Sequence, residues 1–229
     1  MAKQYLIWDL PLRIFHWSLV ITLFCLWVTS DQELGLIEYH MKFGYVALGL
    51  ILFRLVWGLF GTKHAKFINF IPSLSAIKQY LRDNKSGSEK PFAGHNPLGS
   101  LMVVLFLVLI LLQASTGLFI DDDIFSSGPY NGTISKELEK IFNYIHSNGF
   151  NVLLTLSVIH VFAIMYYSKV KKQPLVRAMF HGKKPADTIE QEDAITHSKI
   201  VSAVLIVLTV ILFVYWLVVL NAPVVEEFY

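Results

Sequence analysis

The stretch HSNGFNVLLTLSVIH, His146 to His160, places a histidine at each end of an apolar run, fourteen positions apart. On an α-helix fourteen residues turn through about 1400°, so the second imidazole emerges only about 40° from the first. The rise between them is about 21 Å, most of a bilayer's hydrocarbon thickness. Two imidazoles therefore point to one side of a helix at two depths, and the rest of the chain has to supply whatever faces them.

The chain has 229 residues, of which 55% are hydrophobic, and a mean hydropathy of +0.54. Those values suit a polytopic membrane protein better than a soluble domain. Five segments are long and apolar enough to span a bilayer: Leu12 to Ser30, Tyr39 to Phe60, Leu98 to Ile120, Tyr144 to Ser168 and Ile200 to Leu220. Trp8, Asp9, His16 and Trp17 do not fit a signal peptide, and no small-x-small cleavage site follows, so the first segment is read as a retained helix. A bulky Phe24 before Cys25 also speaks against a lipoprotein leader. Cys25, the single cysteine, excludes an internal disulfide, a cysteine-based zinc site and the CxxCH attachment of c-type haem.

The charges are unevenly placed. Lys63, Lys66, Lys78, Arg82, Lys85 and Lys90 lie between the second and third segments, and Lys169, Lys171, Lys172, Arg177, Lys183, Lys184 and Lys199 between the fourth and fifth. The opposite side carries Asp31, Glu33, Glu38, Asp121 to Asp123, Glu226 and Glu227, with only Lys136 and Lys140 basic in its loops and Lys42 just inside the second segment. This asymmetry predicts an amino terminus on the cytoplasmic side and a carboxyl terminus outside. In the cytoplasmic loop 61–97, Leu74, Ile77, Tyr80 and Leu81 share a helical stripe, which predicts an amphipathic helix on the membrane surface. The outer stretch DDDIFSSGPYNGTIS is acidic and rich in turn residues, and is expected to be exposed.

Orientation gives each histidine a depth. His16 falls near the inner end of the first helix and His40 near the outer end of the second. The fourth helix enters from outside, so His146 is outer and His160 further in. The result is an outer pair, His40 with His146, and an inner pair, His16 with His160. Zinc would ask for three or four ligands at one place, and a proton relay for acids along the path. Two nitrogens on opposite sides of a flat macrocycle match haem. Interfacial imidazoles bonded to backbone carbonyls are the simpler alternative for any one of the four. Gly44 one turn after His40, and Gly149 three residues after His146, leave room for a macrocycle or for close helix packing. His64, His181 and His197 sit in basic loops, as solvated groups or lipid-headgroup contacts. His95 in GHNPLG precedes the third span, where Asn96 is placed to cap the helix and Pro97 to fill its first turn.

WDLPLRIFHW (Trp8–Trp17), YHMKFGY (Tyr39–Tyr45), FRLVWGLFGTKHAKF (Phe53–Phe67), GHNPLGSLMV, the fourteen-spaced histidines and LVRAMFHGKK form an ordered set. Together they resemble the bacterial cytochrome b561 family, including the b-type cytochrome subunits of nickel-iron hydrogenases; the gamma subunits of formate dehydrogenases are more distant relatives of the scaffold. The resemblance implies an all-α integral membrane protein: a four-helix transmembrane bundle holding two b haems, with His16 and His160 on the inner haem and His40 and His146 on the outer one. Residues 1–190 would form that di-haem domain. Residues 191–229 would add a fifth transmembrane helix, outside the haem-bearing core, and a periplasmic tail. The resemblance also implies a bacterial inner-membrane location and electron transfer between a membrane quinone and a periplasmic redox partner, a c-type cytochrome or an oxidoreductase subunit. No nucleic-acid partner is expected.

With histidine at both axial positions neither iron keeps an open place for oxygen, which favours electron transfer over oxygen activation. Arg13, one turn from His16, is placed either to pair with a haem propionate or to anchor the inner surface, and Arg54 has the same two readings. Two rivals remain at this level. One is a superoxide:quinone oxidoreductase of the same fold, against which the acidic outer face argues. The other is a non-redox transporter or scaffold whose histidines are structural.

Overall fold

The protein is described here by a computed structural model covering residues 3–88, 91–120 and 127–223, with only the backbone of Gln32. In chain order its elements are strand β1 (Gln4–Leu6), helices α1 (Leu10–Thr29), α2 (Ile37–Phe60), α3 (Phe67–Phe70), α4 (Leu74–Ser86), α5 (Pro97–Thr116), α6 (Lys136–Lys169) and α7 (Leu175–His181), strand β2 (Lys183–Pro185) and helix α8 (Ile200–Tyr215). A π-helical stretch, Trp216–Leu220, continues α8. Five helices are long and apolar enough to cross a membrane: α1, α2, α5, α6 and α8 with its extension. Large apolar side chains stand open on them, among them Ile21 at 63%, Phe162 at 65% and Leu212 at 69% exposure. Such surface is unfavourable in water and ordinary against lipid, where a helix satisfies its own backbone. Asp121 to Asp123, Glu226, Glu227 and Lys90 lie outside the described residues.

Two helix ends differ from the sequence expectation by four residues or more. α5 stops at Thr116, four residues before Ile120, because Leu118 N and Phe119 N donate to Ser115 O and Thr116 O at 3.3 and 3.0 Å and close the chain into a turn. α6 begins at Lys136 rather than Tyr144. Ser135 Oγ accepts from Leu138 N at 3.4 Å, and Glu137 and Glu139 in the first turn suit the positive end of the helix dipole.

The chain divides into two compact units. The amino-terminal unit gathers residues 1–16, 54–106 and 156–205. Here β1 pairs antiparallel with β2, Tyr5 opposite Lys184, and Ile7 N and Trp8 N both donate to Gly182 O at 2.8 and 3.0 Å. Gly182 takes φ +79°, and a Cβ there would run into the Trp8 carbonyl, so the junction between α7 and β2 requires glycine. α4 is the amphipathic helix of the loop. Ser73 caps it by accepting from Ala76 N, and Gly87 ends it at φ 72°. Tyr80 turns inward, sharing a hydrogen bond with the Tyr167 hydroxyl and accepting one from Asn96 Nδ2, while Leu74 and Leu81 stay exposed. Asn96 Oδ1 accepts from Gly99 N at 2.7 Å and caps α5, as GHNPLG predicts.

Lys184 is buried, with Nζ donating to Phe92 O at 2.9 Å and lying 5.9 Å from the centre of the Trp8 ring. Burial draws its pKa from the usual 10.5 down to about 8. Below about pH 8 both folded and unfolded chains carry the proton and the folded chain bears the full desolvation penalty. Between about 8 and 10.5 the unfolded chain holds more protons, so stability rises with pH through that window. Thermal denaturation in detergent should show this rise in the unaltered chain, and Lys184→Met should flatten it.

The other unit gathers residues 17–53, 107–155 and 206–229. In it the Tyr130 hydroxyl donates to Leu217 O at 2.8 Å and accepts from Asn221 Nδ2 at 2.9 Å, tying the end of the fifth span to the turn before α6. Val210 and Val214 of α8 come within 3.8 and 3.9 Å of where a Cβ on Gly49 of α2 would lie, so glycine there lets the two helices approach.

Candidate functional site

In the second unit α2 and α6 present His40 and His146 to each other, with ring centres 6.2 Å apart and planes at 79°. Two imidazole nitrogens each about 2 Å from one shared metal leave their ring centres about 6 Å apart, so the spacing fits a bis-histidine iron. The remaining nitrogens support that fit. His40 Nδ1 meets the Leu26 carbonyl of α1 at 3.0 Å, and His146 Nδ1 meets the Gln113 carbonyl of α5 at 3.0 Å. A carbonyl on Nδ1 holds the proton there and leaves Nε2 with its lone pair free for a metal. A Cβ on Gly44 would meet nothing within 4 Å, so the helix face one turn after His40 is open, as a macrocycle edge requires.

Sequence reasoning missed Gln113, a lone amide in the twenty-residue apolar α5. Its Nε2 donates to His146 O at 2.6 Å, clamping both sides of the His146 residue to one turn of α5. Thr116 Oγ1 also lies 3.3 Å from His146 Nδ1. Gly149, read from sequence as room for a macrocycle or for close helix packing, serves the second: a Cβ there would collide with Gln113 Oε1. Gly117 packs edge-on to the imidazole, where a Cβ would come 2.9 Å from His146 Cε1. Gly117→Val should push the ring off its present direction; under the haem reading of this pair, retention should fall about 10–100-fold, which haem absorbance per chain after gel filtration measures.

In the amino-terminal unit His16 of α1 lies within electrostatic range of His160 of α6, and the Phe106 ring stands edge-on to His160 with centres 5.9 Å apart. Arg13, one turn before His16, uses Nη1 to donate to Phe180 O at 2.5 Å, near the carboxyl end of α7, and its Nε is buried without a hydrogen-bond partner among the described residues. One of its donors is therefore committed to the chain itself.

A buried polar cluster adjoins this pair. Asp9, fully buried, caps α1 through Leu12 N at 2.7 Å and accepts from Trp57 Nε1 and Thr62 Oγ1. Arg54, only 1% exposed, lies with its guanidinium carbon 4.9 Å from the Phe67 ring centre and 5.5 Å from that of Phe70. His95 packs against Trp8 and Phe70 with ring centres 4.7 and 5.3 Å away. Burial above all, followed by the charges of Arg54, Lys184, His64 and His16, lowers its pKa to about 3, so it is neutral at any working pH. His64 departs from the solvated role expected of it. It is buried, with Nε2 2.7 Å from Asp193 O, beside the Lys63–Asp193 ion pair at 2.9 Å. His181 and His197 are exposed, as expected. Among the described residues no three His, Cys, Asp or Glu side chains converge in the manner of a zinc centre.

The chain's similarities to known proteins point to one family. The sequence model of the prokaryotic cytochrome b561 family matches residues 7–182. The chain is 22% identical over 210 residues to a probable Ni/Fe-hydrogenase B-type cytochrome subunit of Rhizobium leguminosarum bv. viciae, covering 78% of this chain and 87% of that protein. It is 23% identical over 209 residues to the protein of the same description in Azotobacter chroococcum mcd 1, covering 77% and 86%. A Rhodobacter capsulatus protein, again so described, is 20% identical over 214 residues, covering 78% and 80%. The family match ends before α8, so the fifth span is an addition to the matched region.

Proposed function

The chain belongs to the prokaryotic cytochrome b561 family, and on that footing we propose that it binds two b haems, one between His16 and His160 and one between His40 and His146. Membership makes it a multi-pass membrane protein of electron transfer with haem b as its cofactor. The observation that carries the proposal is the His40–His146 pair, set 6.2 Å apart with each Nδ1 on a backbone carbonyl. When bound, haem b supplies a one-electron carrier closed to oxygen by its two imidazoles.

The chain's own residues then do three things. The carbonyls of Leu26 and Gln113 fix the tautomer and direction of the outer imidazoles. Gly44 leaves the space a flat macrocycle needs, and the apolar spans keep water from the carriers. Arg13 offers the donors not committed to Phe180 to the haem of His16 and His160. The basic loops support an amino terminus in the cytoplasm of a bacterial inner membrane, with the His40–His146 pair toward the periplasm.

In this reading the protein moves electrons between a membrane quinone and a redox partner docked on the periplasmic face. That partner is a c-type cytochrome or an oxidoreductase subunit, and the hydrogenase names of the relatives are in keeping with the second. A short-chain quinol added to the purified protein in lipid vesicles should reduce the b-haem absorbance that dithionite reduces. Full reduction by dithionite with none by ubiquinol or menaquinol analogues would remove the quinone from the account.

A further inference from the structure

Arg54 is the least satisfied charge in the amino-terminal unit. It is 1% exposed, and neither Nη1 nor Nη2 has a hydrogen-bond partner among the described residues. Neither of the two ion pairs among those residues includes it. Asp9 is the carboxylate within its electrostatic range, but the Asp9 oxygens already accept from Leu12 N, Trp57 Nε1 and Thr62 Oγ1. A buried guanidinium without a hydrogen-bonded counter-charge is strongly unfavourable, and the described residues supply no such anion. The surroundings sharpen its chemistry. Phe67 and Phe70 lie against the guanidinium and leave its two terminal nitrogens as a fork, the geometry that takes a carboxylate through two parallel hydrogen bonds. His95 lies within electrostatic range of both Arg54 and His16, and its buried Nδ1 also has no hydrogen-bond partner among the described residues.

The charges around the cluster point the same way. Arg54 and Lys184 both act on the buried His95, so the cluster favours a further negative group. Arg54 also follows His40 on α2 by fourteen residues, the interval that separates His146 from His160 on α6. The helical count turns it to within about 40° of the direction His40 takes. α2 thus carries a guanidinium where α6 carries its second histidine.

We propose that Arg54, assisted by His95, is a buried carboxylate receptor, and that its occupant is a propionate of the haem held by His16 and His160. The inference rests on the di-haem reading above. It is tested in a His146→Ala background, which keeps only that haem. There Arg54→Gln should lower the haem's reduction potential, shifting the oxidised-to-reduced equilibrium about tenfold or more, which is 59 mV for a one-electron couple. Arg54→Lys, which keeps the charge and loses the fork, should fall between. In the same background with Arg54 intact, the dimethyl ester of haem should be retained at least tenfold less tightly than haem with free propionates, and Arg54→Gln should cause no further loss with the ester. An unchanged potential in Arg54→Gln, or ester haem retained as well as the free acid, would overturn the proposal. Equal loss on Arg54→Gln with ester and with free acid would overturn it too, by showing that another anion occupies the fork. If Arg54→Gln does not fold, Arg54→Lys takes its place in both the potential and the ester comparisons. A chain that binds no haem at all contradicts the di-haem reading instead, so the two failures are distinguishable.

Discussion

His146→Ala is expected to yield a folded membrane protein with one haem of two, and His40→Ala to lose the same spectral component. His16→Ala and His160→Ala should remove the other. Loss in matched pairs follows from shared ligation: a haem with one axial nitrogen removed keeps half its bonds to the chain and gains an open position. The effect should be larger than that of any supporting residue, because near His146 the polar side chains among the described residues, Gln113 and Thr116, are already engaged in hydrogen bonds. Redox difference spectra of the four purified variants read this directly. Loss of a component on replacing His181 or His197, which are exposed, would contradict the assignment.

Asp9→Ala is expected to give the largest loss of stability among substitutions away from the histidines. The carboxylate is fully buried and serves three donors at once, the Leu12 backbone N–H, the Trp57 indole and the Thr62 hydroxyl. Alanine withdraws the acceptor from all of them and removes the carboxylate nearest Arg54. At about 1–3 kcal/mol for each buried donor deprived of its acceptor, with partial relaxation, a loss of about 3 kcal/mol follows. For a chain of this size that lowers the melting temperature by roughly 6–12 °C. Asp9→Asn keeps an acceptor oxygen and should recover part of the loss. Thermal denaturation in detergent, followed by circular dichroism, compares the two; equal melting temperatures for Asp9→Ala and the unaltered chain would show that the network contributes little.

The spans were legible because a lipid-crossing helix needs about twenty apolar residues in a row, and all five runs meet that length. The approach of His40 to His146 was legible because helical periodicity and chain direction assign each histidine a side and a depth. Asn96 announced itself through the Asn-Pro order at a helix start. The supporting groups were not legible. Gln113 reads in sequence as a tolerated amide, and only the partner helix reveals that it clamps His146. Gly149 reads in sequence as room for a cofactor or for a neighbouring helix, and only the partner amide selects the second. Arg54 near a helix end carries two readings in the sequence, a haem-propionate partner or an inner-surface anchor, and the pattern does not choose between them. Its burial between Phe67 and Phe70 depends on the short helix α3, whose position the sequence pattern does not fix. Periodicity tells which way a side chain points, whereas its partner is chosen by another segment.

The central claim is that four imidazoles hold two irons. Pyridine haemochrome quantitation on the purified full chain, with protein measured by amino-acid analysis, tests it most directly. Two protohaems per chain are predicted, both low-spin in the oxidised state, as two nitrogen ligands require. A single haem per chain, or a high-spin component that takes up carbon monoxide when reduced, would contradict the account.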